Sequence, residues 1–138
     1  MALATKQTKV GAEVPPVSKD ITFEKMRLYS GWPEQKNIHT DYEAAKRAKL
    51  PGPIAQGLMS AAYISEMLTK FFGEGWMKGG KLSVSFINIV QPGDKVTAKG
   101  VVKERVTEDS KVRLVLDVWC ENQNGVKVTV GTASGLVS

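Results

Sequence analysis

The sequence predicts an α+β domain in which a curved antiparallel sheet wraps one long buried helix, and two observations predict it. Residues 57–72 (GLMSAAYISEMLTKFF) run at helical spacing and are apolar around nearly the whole circumference, leaving Glu66 and Lys70 on a narrow polar strip. A helix apolar on most sides is buried on most sides. Beyond it the chain alternates apolar and polar residues through long segments divided by turn residues, the period-2 signature of antiparallel strands. Only a sheet that bends around the helix covers it on several sides. Helices packed on one face of an open sheet are the competing arrangement, because periodicity leaves sheet curvature open.

At 138 residues the chain is the size of a single domain. Residues 1–12 read as a flexible N-terminal arm and 13–138 as the folded domain. Val14-Pro15-Pro16-Val17 forces an extended segment, since each proline restricts itself and the residue before it. Phe23, Met26 and Tyr29 recur at about one turn and stop at Gly31-Trp32-Pro33, a short helix followed by a loop. Thr40-Asp41-Tyr42-Glu43 fits a capping box with Thr40 as the cap, and a second helix runs from Asp41 to about Lys49. Leu50-Pro51-Gly52-Pro53 breaks it, and the long helix starts at Gln56 or Gly57 and ends at Gly73. Strands follow over Leu82 to Phe86, Val96 to Val106, Val112 to Cys120 and Val126 to Val130, with Asn124-Gly125 a type I′ hairpin signal. An encircled helix with a meander of long strands is the hot-dog arrangement.

Charge and composition narrow the function. The net charge of +5 comes from dispersed basic residues with no cluster interleaved with aromatics, which argues against nucleic acid. A modest positive field suits the phosphates of coenzyme A or an acidic carrier protein. No run approaches the roughly 18 apolar residues of a membrane span, and Met1 to Val10 lacks the apolar stretch of a secretory signal, so a cytoplasmic location is expected. Cys120 is the only cysteine; it sits in an apolar strand run and reads as a buried thiol rather than a nucleophile.

The segment Glu34-Gln35-Lys36-Asn37-Ile38-His39-Thr40-Asp41 carries the chemistry. It places a carboxylate and the only histidine on one loop, close in sequence to Pro53-Ile54-Ala55-Gln56-Gly57, which opens the buried helix. The first N–H groups of a helix have no partner within it, so the set contains the parts for acid–base work on a carbonyl compound.

Together these residues resemble the MaoC-like dehydratases and (R)-specific enoyl-CoA hydratases of the hot-dog superfamily. The matching residues are Glu34, His39, Asp41, Ala44-Ala45 and the Pro53-Ile54-Ala55-Gln56-Gly57 element, and the resemblance extends over almost the entire chain. It implies a lyase that adds water to trans-2-enoyl thioesters to give (R)-3-hydroxyacyl thioesters, or the reverse, within fatty acid metabolism. By that resemblance His39 and Glu34 hold the water, the Gly57 N–H binds the thioester oxygen, and Ser65 supports the pair. Gln56, Leu58, Met59 and Tyr63 are candidate substrate-binding residues on the same helix. The resemblance implies no metal or redox cofactor, with coenzyme A entering only as part of the substrate, and it implies a homodimer.

One departure stands out. The family has aspartate where this chain has Glu34, and the extra methylene shifts the carboxylate by on the order of 1 Å, a displacement that can cost about 100-fold. That supports an alternative: a MaoC-like protein with altered or lost hydratase activity, acting as a partner subunit or on an unusual acyl chain. A thioesterase is a third reading, with Glu66 the only carboxylate within the long helix available to activate water.

Overall fold

In a computed structural model, which describes residues 3–137, the alternating segments become one five-stranded antiparallel sheet of order β1-β3-β4-β5-β2. The strands are β1 (Glu13–Asp20), β2 (Lys81–Phe86), β3 (Lys95–Glu108), β4 (Lys111–Glu121) and β5 (Lys127–Val137). The helices are α1 (Phe23–Tyr29), α2 (Tyr42–Arg47), α3 (Gly57–Phe72) and α4 (Glu74–Gly79). The inward residues of β3 and β4, Val96, Ala98, Val102, Leu114, Leu116, Val118 and Cys120, are all buried, and Ile64, Met67 and Leu68 of α3 pack against them in one core. This is the hot-dog fold. The Gly135 backbone allows α3 to come close to the sheet, since a Cβ there would lie 2.7 Å from the Phe72 ring.

On the outer strip of α3 Lys70 is exposed and Glu66 half-buried, and toward the N-terminus the strip continues as exposed Ala62 and Leu58, so the uncovered side is partly apolar. Pro15 and Pro16 lie in β1, where the register against β3 shifts between Val14 and Val17, as strand prolines require because they cannot donate to the ladder.

Three expectations need correction, and one element is additional to them. Residues 3–12 are not a loose arm. Leu3 and Ala4 N–H donate to Phe71 O at 3.0 and 2.7 Å, Gly11 N–H donates to Val102 O at 2.7 Å, and the Arg105 guanidinium bridges the carbonyls of Lys6 and Thr8. The cap of α2 is Asp41, whose carboxylate accepts from Ala44 N–H at 3.1 Å; Thr40 is used elsewhere. At Asn124-Gly125 only Gly125 has positive φ (75°), and Gly125 N–H donates back to Asn122 O, so the turn is not type I′. Positive φ at two successive residues, the type I′ requirement, occurs instead at Asp109 (43°) and Ser110 (70°), between β3 and β4. Helix α4 was not expected at all.

Candidate active site

His39 sits where three segments meet. Its loop is wound tightly by its own polar side chains. Asn37 Oδ1 accepts from His39 N–H at 2.9 Å, while Asn37 O accepts from the N–H groups of Thr40 and Asp41, both at 3.0 Å. The fully buried Thr40 hydroxyl accepts from Asn37 N–H at 3.0 Å and donates to Gln35 O at 2.9 Å. The segment before α3 docks on this loop through Ile54 N–H to Ile38 O (3.1 Å) and on the segment after β2 through Ala55 N–H to Val90 O (2.8 Å).

The imidazole completes the junction: His39 Nδ1 lies 2.8 Å from Ile54 O. A carbonyl only accepts, so Nδ1 carries the hydrogen and the neutral ring keeps its Nε2 lone pair available as a base. The helix start beside it is open. Gln56, the residue before α3, makes no side-chain cap, and its amide donates instead to Ser30 Oγ at 2.9 Å. The uncapped first turn of α3 carries the partial positive charge of the helix dipole. A Cβ on Gly57 would fall 2.6 Å from the Phe86 ring, so glycine is what lets that ring lie across the helix start.

These groups border a cavity of about 300 Å³, lined by His39, Ile54–Gly57, Ser60, Phe86–Val90, Val128 and Thr129. Of the residues expected from the sequence, His39, Gln56 and Gly57 come together here. Glu34 does not; it is exposed, does not line the cavity, and its loop passes through a cis Trp32–Pro33 peptide. Ser65 accepts a hydrogen bond from the Trp76 indole at 3.1 Å, on the α4 side of the helix. Leu58 is 57% exposed and outside the cavity, and Met59 is a core residue. Tyr63 packs against the core, where burial and then Cys120, Glu66 and Tyr29 raise its phenol above its ordinary value. Glu66 lies outside the cavity in an ion pair with Lys19 at 3.1 Å.

The sequence reasoning missed Ser60, Phe86–Val90, Val128 and Thr129. Ser60 was findable, because it follows Gly57 by three residues and therefore lies on the same helix face. So was the wall from Phe86, where Phe86, Ile87, Ile89 and Val90 abandon alternation before Pro92-Gly93. A second cavity, about 330 Å³ between α4 and the end of β5, is slightly larger, but it holds no histidine and its Lys78 is paired with Glu74 at 2.6 Å.

Cys120 lies just beneath, its thiol donating to Ser60 O at 3.6 Å, and burial pushes it from 9.0 up to about 12. Two results are expected. At pH 8 the native protein resists alkylation by iodoacetamide, whereas the urea-unfolded chain reacts fully. Because the folded value is the raised one, the stability this thiol contributes is complete below pH 9 and declines as the pH rises toward 12, which urea titrations of the native protein and Cys120→Ala would separate.

Among solved structures, the MaoC-like dehydratase from Rhodospirillum rubrum aligns with a TM-score of 0.79 at 21% identity, covering 96% of this chain and 94% of that one. The unliganded R-hydratase PhaJ1 from Pseudomonas aeruginosa aligns at 0.76 and 22% identity, covering 99% and 86%. The (R)-hydratase from A. caviae involved in PHA biosynthesis aligns at 0.76 and 24% identity, covering 97% and 100%. These similarities are of fold. No match is found among curated proteins. The model of the MaoC-like domain matches residues 5–131, a span that takes in the His39 loop, the opening of α3 and the cavity wall after β2; the chain belongs to the MaoC-like dehydratase family.

Proposed function

We propose that the protein hydrates trans-2-enoyl thioesters, or dehydrates the corresponding (R)-3-hydroxyacyl thioesters, in the His39 cavity. The observation that carries this reading is the His39 Nδ1 bond to Ile54 O, which leaves Nε2 as a base in the cavity that also receives the open end of α3. His39 Nε2 takes a proton from the bound water as the water oxygen adds to the β-carbon and the thioester carbonyl becomes an enolate, whose oxygen the Gly57 N–H stabilises. The His39 imidazolium then gives that proton to the α-carbon, restoring the carbonyl and the neutral ring. Gln56 orients the acyl group. The carrier is coenzyme A or an acyl carrier protein, and no other cofactor takes part.

We further propose a homodimer. Phe86, Ile87 and Ile89, between 45 and 50% exposed, make an apolar margin at the end of edge strand β2, beside the cavity. Edges of this kind are covered in assemblies.

A second reading is favoured by one observation, the exposure of Glu34 away from the cavity. In that reading the chain binds an acyl thioester with weakened or no hydration. The two readings separate on incubation with crotonyl-CoA and longer trans-2-enoyl-CoA esters, following loss of enoyl absorbance and release of free thiol. Hydration without thiol release is expected, and Glu34→Gln tests the acid. A folded protein that binds acyl-CoA but turns over no chain length supports the second reading; thiol release would mark a thioesterase.

A further inference from the structure

The geometry points to Arg27 as the residue that positions His39. Its guanidinium lies 4.3 Å from the centre of the Phe23 ring and 4.0 Å from that of Trp32, between an aromatic of its own helix and one at the beginning of the catalytic loop. From there its Nε–H donates to Thr40 O at 3.2 Å. Thr40 directly follows His39, and its hydroxyl holds the turn through Asn37 and Gln35. One side chain thus ties both ends of the loop, Trp32 and Thr40, to α1.

The chemistry of the contact selects arginine. A planar guanidinium stacks on a ring while an edge N–H donates in plane, whereas a lysine ammonium offers a point charge without that combination. Stacking of this type contributes through cation–π attraction as well as packing. The Thr40 and Asn37 bonds define the loop's internal shape and the Ile54 N–H bond to Ile38 O joins it to the segment before α3; Arg27 adds a separate anchor, to α1. His39 must meet Ile54 O on a different segment, and a catalytic group has to be held to within about 0.5 Å. Lys36, 5.6 Å from the Trp32 ring, makes no such bond to the loop backbone and serves as the comparison.

The consequence for turnover rests on the proposed hydratase reading, but the positional consequence does not, because His39 is the only histidine and its ring can be observed directly. In ¹⁵N-labelled protein the two ring nitrogens report the tautomer. The wild type is expected to show predominantly Nδ1–H. Arg27→Met, which keeps an apolar stem, and Arg27→Lys, which keeps the charge, are both expected to give a mixed tautomer population in a folded protein. Lys36→Ala is expected to leave the wild-type pattern. In the hydration assay, Arg27→Lys is expected to lower kcat about tenfold or more, with KM within about twofold. Should Arg27→Met fail to fold, Arg27→Lys provides the same reading. An unchanged tautomer in folded Arg27→Lys overturns the proposal, whether or not the wild type hydrates any substrate. If the wild type is inactive but the tautomer shifts, the hydratase reading fails and the positioning role stands.

Discussion

His39→Ala is expected to lower kcat for enoyl-CoA hydration by about 10³-fold, within the range that positioned general acid–base groups contribute. KM should change little, because in the proposed reaction the thioester is held at the start of α3 rather than by the ring. The substitution also removes the Nδ1 bond to Ile54 O, and a lost hydrogen bond costs about 1 kcal/mol, too little to unfold a domain of this size. His39→Asn separates the two effects: its amide N–H can donate toward Ile54 O, yet it has no basic lone pair. Steady-state kinetics should therefore place Asn with Ala, while thermal melts should place Asn nearer the wild type. A kcat within fivefold of wild type in both variants would move the base to another group.

A large stability loss is expected at Gly131→Ala. Gly131, on β5, pairs with Val84 on β2 and with Val118 on β4. A Cβ there would lie 2.0 Å from Ser83 O and 2.8 Å from Val84 Cα. Both atoms are backbone, so no rotamer change relieves the clash, and β2 must move away by roughly 1 Å or β5 must bend. A loss of about 3 kcal/mol is expected, read as a lower urea midpoint with little change in slope, or roughly 10 °C in Tm. Displacing β2 also moves the Phe86–Val90 wall of the cavity, so residual folded enzyme should show a raised KM. A midpoint within experimental scatter of wild type would show that the β2–β5 pairing gives way easily.

Much of the fold was legible because its largest signals are periodic. The apolar circumference of α3 and the alternation of β3 and β4 report burial directly, and their ends fell within a few residues of those expected. What failed depended on single-residue competition or on the third dimension. Thr40 and Asp41 are both good caps, and the turn of the preceding loop decided between them by taking up Thr40 through Asn37 and Gln35. Helix α4 carries Gly75 and Gly79 in six residues, a composition that argues against a helix until packing against Leu136 fixes it.

The site shows the same division. His39, Gln56 and Gly57 line one cavity because one sits on a short loop and the others open a helix whose start was clear in the sequence. Ser65 stands eight residues beyond Gly57, about 12 Å along the helix axis, and accepts from the Trp76 indole there. Glu34 illustrates a different limit: a spacing of five residues in a loop fixes proximity in sequence but not the direction of a side chain.

The two ends of α3 are treated in opposite ways. At its C-terminus, Phe71 O receives the N–H groups of both Leu3 and Ala4, and Thr69 O receives Gly73 N–H. At its N-terminus no side chain caps the helix, and Gln56 turns its amide to Ser30. The negative pole is therefore quenched by the chain's own backbone, while the positive pole faces the His39 cavity unopposed. The helix works as a polarised electrode with one terminal insulated. An anion arriving in the cavity meets a field oriented before it binds, with no dipoles left to rearrange.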